Sequence, residues 1–264
     1  MTIPFSKYQG TGNDFVIIDN RKNLLSKNDY KFIEQLCDRR FGIGADGLIL
    51  LQEKEGFDFD MVYFNSDGKE SSMCGNGGRC IVAFAKKLGL IKDQCSFDAI
   101  DGRHEARIQE NDKVELKMSN VKSYELDEDA YILDTGSPHY VVFVEDVDDI
   151  NVVENGQAIR YSERFREKGI NVNFVEKTKS ELIVATYERG VEAETYSCGT
   201  GVTASAIAYA LKRKATDKSN IKIQTKGGQL EVHLTPSDQG FNDIWLCGPA
   251  TLVFEGQVNR PKKQ

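Results

Sequence analysis

At 264 residues, 40% hydrophobic and 28% charged, the chain has enough apolar material for one large domain or two of ordinary size. Its net charge of −7 argues against nucleic acid or an anionic membrane surface as a general partner. No segment approaches the ~20 apolar residues of a membrane span, and the opening residues lack an apolar stretch of signal length, so the expected compartment is the cytoplasm. Six cysteines stand at 37, 74, 80, 95, 198 and 247. In a small secreted chain they would suggest a disulfide framework, but a chain with this much core does not need one. No Cys-x-x-Cys pair marks a zinc site. Cys37, Cys95 and Cys247 sit in apolar company and read as inert buried thiols.

The chain opens with a short strand at 3–5. Residues 10–14 read as a turn, and 15–18 as a buried, β-branched strand. Residues 26–40 predict a helix with Ser26 as its N-cap, Tyr30, Ile33, Leu36 and Cys37 on one face, and two arginines at its end. A glycine-rich turn at 42–47 leads into an apolar strand at 48–51. Phe57, Phe59, Met61 and Tyr63 alternate as a strand with one buried face should, and stop at Asn65-Ser66-Asp67-Gly68. An apolar helix follows a glycine turn at 75–78, and 97–118 supplies two or three strands around Asp101-Gly102. Residues 121–129, acidic and weakly patterned, are the expected connection between the two parts of the chain. Two strands flank 136–139, a helix with polar flanks lies within 150–168, and strands follow at 171–175 and 181–187. A second apolar helix runs to about residue 214. Residues 221–225 and 230–234 predict a hairpin about Gly227-Gly228, and 244–247 with 251–254 another about Gly248-Pro249.

Both apolar helices begin alike. Ser72-Met73-Cys74-Gly75-Asn76-Gly77-Gly78 opens the first and Ser197-Cys198-Gly199-Thr200-Gly201 the second, with 198 − 74 = 124 positions between the cysteines. At nearly the same offset Thr11-Gly12 is echoed by Thr135-Gly136, Gly42 by Gly169, and Gly102 by Gly227. A duplicated half accounts for the whole set. The expected class is α+β, in two pseudo-symmetric halves: 1–119 carrying Cys74 and 120–264 carrying Cys198, with the last dozen residues able to pack back on the first half. Many strands and one strongly apolar helix per half suit a barrel-like mixed sheet wrapped around a central helix better than alternating βαβ units.

A thiol at a helix N-terminus has a lowered pKa, and the same N–H groups attract anions. Two such thiols in related halves would form a symmetric acid–base pair. One, as thiolate, would remove a proton from one face of a carbon while the other delivers a proton to the opposite face. Helix-end N–H groups would hold the adjacent carboxylate and stabilise the charge that develops on it. Two other readings compete. Residues 199–204 formally match G-x-G-x-x-A, but no acidic residue ends the following strand and the first turn lacks the spacing; a Walker A loop is absent. Plain packing cysteines would not explain why both halves carry the same residue at the same turn.

These residues also carry a resemblance. The segments 10–15, 64–68, 73–80, 187–190 and 197–201 together resemble the diaminopimelate epimerase family, in a match extending over about residues 3–254. The resemblance implies an isomerase that interconverts LL- and meso-diaminopimelate for lysine and peptidoglycan precursors, with Cys74 and Cys198 catalytic and with no metal or pyridoxal phosphate. It further implies Asn13, Asn65, Asn171, Glu188 and Arg189 as substrate contacts and Gly75, Asn76, Gly199 and Thr200 as helix-end anion binders. Arg189 offers a planar fork for the distant carboxylate. Glu188 would meet an amine or tune a thiol, and His139 would influence the cysteines. Ser137 stands where the family commonly has asparagine, and Gly47 where some members have glutamine. Arg79 is expected in helix-end packing or as surface charge. The implied partner is a small amino acid, and a homodimer stays open. Rival functions are another cofactor-independent racemase of this fold, for histidine or a proline derivative, a phenazine-pathway type of isomerase, and an amino-acid-binding protein without catalysis. Tyr187-Glu188-Arg189 favours a substrate with a second amino-acid end, and the presence of both cysteines disfavours the phenazine-pathway type.

Overall fold

In the computed structural model, which describes residues 2–260, the chain divides into two units. Of the described residues, one unit comprises 2–116 with 249–260 and the other 117–248.

The first unit starts with the antiparallel strands Thr2–Gly10 and Asn13–Asp19, joined by Thr11 (φ 50°) and Gly12 (φ 85°). Positive φ at both central residues is what a two-residue turn needs to match strand twist. A crossover containing helix α1 (Tyr30–Cys37) brings Gly47–Gln52 parallel to Asn13–Asp19, and Phe59–Asn65 pairs back antiparallel. A second crossover, containing α2 (Gly75–Lys87), brings Gln94–Ala99 parallel to Phe59–Asn65, and a meander continues through Gly102–Ile108 and Val114–Lys117. The other edge of Thr2–Gly10 takes Thr251–Asn259 antiparallel.

Both faces of the middle strands are covered. Ile33, Leu36 and Cys37 of α1 pack with Val16, Ile18, Leu48, Leu50, Val62 and Phe64. On the opposite face α2 approaches so closely that a Cβ on Gly77 would meet Ile49 Cδ1 at 3.2 Å, Met61 Cε at 3.4 Å and Phe15 Cε1 at 3.5 Å. The helix touches five strands of its unit, which wrap around it, and is buried over nearly its whole length.

The second unit repeats this order of connections. Tyr124–Asp127, Ala130–Asp134 and Pro138–Val144 form an antiparallel set. A crossover containing α3 (Val152–Arg160) leads to Asn171–Lys177, parallel to Pro138–Val144, and Leu182–Glu188 returns antiparallel. The next crossover contains α4 (Gly199–Lys212) and leads to Ser219–Thr225, parallel to Leu182–Glu188, followed by Gly228–Ser237 and Gly240–Gly248. Helix α3 covers one face through Val152 against Val172, Phe174 and Tyr187, while α4, buried on nearly every side, packs against strands of the same sheet. The mixed sheet around a buried cysteine helix is thus the architecture expected from the sequence.

Several local expectations fail for identifiable reasons. Helix α1 begins after Asp29 rather than at Ser26, whose hydroxyl instead accepts from the Asn28 N–H, and Tyr30 is exposed. The two arginines lie beyond its end, in a loop where Asp38 accepts from the N–H groups of Arg40 and Phe41. The strand Phe59–Asn65 is buried on two faces, because α1 takes Val62 and Phe64 while α2 takes Met61. Phe57 lies outside it. The connection at 121–129 holds the strand Tyr124–Asp127, and Ala193–Thr195 is a short strand without enough residues to signal itself. Among the described residues Gly240–Gly248 pairs with Gly228–Ser237 and Thr251–Asn259 with the N-terminal strand, in place of the hairpin expected about Gly248-Pro249. Periodicity identifies strands but not partners.

A charge cluster around buried Lys7 fastens the first hairpin. Lys7, 6% exposed, donates to the Gly44 carbonyl and pairs with Asp14 at 2.8 Å, and Arg39 pairs with Asp14 at 2.7 Å and Asp46 at 2.8 Å. Burial alone would raise the Asp14 carboxyl, but hydrogen bonds from Arg39 and Lys7 outweigh it and hold the group well below the usual carboxylate range. A carboxyl depressed in the folded state contributes stability above its unfolded pKa of about 3.9 and loses that contribution as pH falls. Asp14→Asn should therefore lower the urea midpoint at neutral pH by more than at pH about 3, where the wild-type contribution has begun to fade. An equal loss at both pH values would contradict this.

Candidate active site

Each cysteine stands at the N-cap of its unit's buried helix. Cys74 (φ −94°, ψ 130°) and Cys198 (φ −115°, ψ 110°) keep extended backbone while their carbonyls accept the first helical bonds, from Gly78 N at 2.7 Å and Val202 N at 2.9 Å. Neither side chain caps its helix, so both sulfurs are directed to other neighbours.

Beside α2, the Cys74 thiol donates to Asn13 Oδ1 at 3.5 Å, and Asn76 Nδ2 donates to the same oxygen at 3.4 Å. Asn13 Nδ2 donates to Asp46 Oδ2 at 2.6 Å. Arg79 is fully buried near the start of α2, which decides for helix-end packing over surface charge. Its guanidinium donates to Asn76 Oδ1 (2.9 Å), Thr11 Oγ1 (3.2 Å), the Gly75 carbonyl (3.4 Å) and the Pro249 carbonyl (3.4 Å). Gly75 and Asn76 form the first turn of α2. Asn65 ends its strand opposite Gly47 and is exposed, with no side-chain bond joining it to this group among the described residues. A Cβ on Gly47 would lie 2.5 Å from the Phe64 carbonyl oxygen, so no side chain fits there without movement.

Beside α4, Cys198 Sγ lies 3.5 Å from Thr200 Oγ1, and the Thr200 carbonyl accepts from Thr135 Oγ1 at 2.8 Å. Gly199 and Thr200 form the first turn. Gly201 is packed so tightly that a Cβ there would fall 2.4 Å from Asn173 Oδ1. Asn173 donates to His139 Nδ1 at 3.1 Å and to the Tyr140 carbonyl at 3.2 Å, and accepts from Thr186 Oγ1 at 2.9 Å. With Nδ1 accepting, the proton of the neutral imidazole sits on Nε2, a buried atom without a hydrogen-bond partner among the described residues. Burial, aided by the nearby Arg189 charge and opposed by the Asn173 bond, pushes the His139 pKa down to about 3. The ring is therefore uncharged at neutral pH.

Asn171, Ser137 and Arg189 join in one cluster. Asn171 Nδ2 donates to Ser137 Oγ at 2.8 Å and the Pro138 carbonyl at 3.1 Å, and its Oδ1 accepts from Arg189 N at 2.9 Å. Arg189 Nη2 donates to Ser137 Oγ at 3.4 Å and Nη1 to the Lys168 carbonyl at 3.0 Å. Ser137 thus links Asn171 to Arg189. Glu188 ends the strand just before them, partly buried. Behind the turn, Glu192 accepts from Tyr187 Oη (2.8 Å), Tyr161 Oη (3.0 Å) and Gly190 N (3.0 Å), anchoring the loop that carries Arg189.

The other thiols differ. Burial pushes Cys37, Cys80 and Cys95 each up to about 12, so they hold their protons at neutral pH. Cys247, expected among apolar groups, also has the His233 imidazole 3.6 Å away. Sequence reasoning missed Asp46, Asn173, Thr186 and Glu192. Each acts by bonding a side chain from elsewhere in its unit (Asn13, His139, Asn173 and Tyr187 respectively), and none belongs to a local motif.

A family model described as "Diaminopimelate epimerase" matches residues 5–123 and 131–253. A diaminopimelate epimerase from Flavobacterium psychrophilum is 52% identical over 253 residues, covering 96% of this chain and 98% of the relative. One from Aquifex aeolicus is 40% identical, covering 97% of both chains. Among solved structures, a phenazine biosynthesis protein of the PhzF family from Bacillus anthracis superposes with a TM-score of 0.79 over 98% of this chain and 100% of its own. At 16% identity that likeness speaks to the fold alone. The chain belongs to the diaminopimelate epimerase family.

Proposed function

We propose that this protein is an isomerase that interconverts LL- and meso-diaminopimelate by proton transfer at the α-carbon between two thiols, Cys74 and Cys198. The observation that carries the reading is their equivalence: each is the N-cap of the buried helix in one of two repeated units. A two-base inversion needs a base for one face of the carbon and an acid for the other, and the reverse reaction needs the roles exchanged. Two residues of one type at matching helix starts satisfy that requirement.

In this reading Gly75, Asn76, Gly199 and Thr200 offer helix-end N–H groups to the carboxylate beside the reacting carbon, where charge builds as the C–H bond breaks. Arg189 and Asn171, held together through Ser137, receive the distant amino-acid end, with Glu188 facing its amine; Asn13 and Asn65 supply further amide contacts. The unpartnered Nε2–H of neutral His139 is a donor suited to an incoming group or to a thiolate. The reaction uses no metal or pyridoxal phosphate, and the enzyme works in the cytoplasm.

Purified protein should invert LL-diaminopimelate and leave histidine, proline and hydroxyproline unchanged. Inversion of one of those and not of diaminopimelate would overturn the assignment. Cys74→Ala and Cys198→Ala should each lower kcat by at least about 10²-fold with the circular dichroism spectrum intact, since each removes one proton-transfer group. Near-normal turnover in either variant would refute the two-thiol mechanism. A homodimer forms part of the same proposal. The strand Thr251–Asn259 exposes Leu252, Val253 and Phe254 in succession, an apolar row suited to pairing of two copies. Sedimentation should give twice the chain mass, and Val253→Lys should lower it; a wild-type monomer would exclude the dimer.

A further inference from the structure

A chain of hydrogen bonds beneath α4 leaves no freedom in the proton position of His139. A backbone carbonyl only accepts, so the Asn173 group 3.2 Å from the Tyr140 carbonyl is its NH₂. The amide oxygen then lies on the other side, where Thr186 Oγ1 donates to it at 2.9 Å. The same NH₂ lies 3.1 Å from His139 Nδ1 and cannot accept, so Nδ1 is the bare nitrogen of the ring. Turning the amide over would set its oxygen against the Tyr140 carbonyl. His139 and Asn173 are 0% exposed and Thr186 3%, so bulk water offers that mismatch no compensation. Gly201 closes the arrangement from the helix side, since a Cβ there would lie 2.4 Å from Asn173 Oδ1 and 3.3 Å from Thr186 Oγ1.

The ring is uncharged at neutral pH, so its one nitrogen-bound proton is on Nε2. That atom is buried and has no hydrogen-bond partner among the described residues. A buried donor left open in this way suits an acceptor that arrives from outside. The surroundings favour a negative one. The Arg189 charge acts on the ring, and the segment carrying His139 passes the positive end of α4, where Thr135 Oγ1 donates to the Thr200 carbonyl at 2.8 Å. Resting on the proposed isomerase reading, we infer that Asn173, backed by Thr186, is a positioning residue that fixes His139 as a hydrogen-bond donor through Nε2, and that this N–H takes a carboxylate oxygen of the amino-acid substrate. With Nδ1 engaged and Nε2 protonated, His139 has no free lone pair with which to remove a proton.

The test is heteronuclear NMR of the intact protein, isotope-labelled at its histidine ring nitrogens and held at neutral pH. The chain has three histidines, and His139 is assigned by the signals lost in His139→Gln. In the substrate-free protein Nε2 should resonate as a protonated ring nitrogen and Nδ1 as a bare one. Saturation with diaminopimelate at isomer equilibrium should shift Nε2 and its proton and leave Nδ1 bare. Asn173→Asp, nearly the same in shape, replaces the donor by an acceptor and should place a proton on Nδ1. His139→Gln, whose amide donates but takes no proton, should keep most of kcat/KM. His139→Leu should lose about tenfold or more, as expected for a hydrogen bond to a charged group. A protonated Nδ1 in the substrate-free wild type, or an Nε2 unmoved at saturation, would overturn the inference without any variant having to fold. A bare Nδ1 in folded Asn173→Asp would also overturn it, as would equal losses in the two His139 variants. A protein with the expected ring protonation that neither binds nor inverts diaminopimelate would overturn the proposed function and not the positioning role of Asn173, which is read without substrate.

Discussion

The first turn of a buried helix leaves backbone N–H groups that no preceding turn can satisfy, and much of this protein is organised around two such starts. At each, a cysteine with extended backbone turns the chain from sheet to helix, and glycines let the helix approach other groups closely. Gly77 lies against Ile49 and Met61, and Gly201 against Asn173. A side chain at Gly201 would collide with Asn173 Oδ1, and one at Gly77 would fit only if the end of Ile49 gave way slightly. The unusual residues around the thiols are therefore conditions for bringing a helix end, with its partial positive charge, into a protein interior.

The surroundings of those helix ends are polar but tightly constrained. Arg79 is wholly buried yet distributes its N–H groups over Asn76, Thr11 and two carbonyls. His139 is wholly buried and neutral, with one nitrogen bonded and the other without a hydrogen-bond partner among the described residues. Leaving a donor such as Nε2–H unpaired costs roughly 1–3 kcal/mol, a penalty that a binding site can recover when its ligand arrives.

The parts legible in the sequence are those with local or repeated signals. The glycine–cysteine turns, the apolar helices behind them and their recurrence at one offset are sufficient for the architecture of a sheet around a helix. Strand partners are not legible. Nothing near Gly248-Pro249 says that the next strand pairs with Thr2–Gly10, because a pairing partner lies far away in sequence. The alternation from Phe57 to Tyr63 suggests one buried face, since a strand between two helices looks half-polar when Asp58 and Asp60 flank its apolar residues. Ser26 resembles a cap because serine suits both caps and turns; here it forms the turn. Around the thiols the motif residues are visible, but Asp46, Asn173 and Glu192 are not, because their role is to orient another side chain.

The proposed function requires two thiols, each on its own helix, to act on opposite faces of one carbon. The most direct measurement starts from LL-diaminopimelate in deuterated water and follows deuterium at early turnover in both substrate and product. A thiolate that removes a proton carries no second hydrogen to exchange, while the opposing thiol is already equilibrated with solvent. The account predicts deuterium at the inverted carbon of the meso product and none in the remaining LL substrate. Equal early labelling of both isomers would indicate a single exchanging base and contradict it.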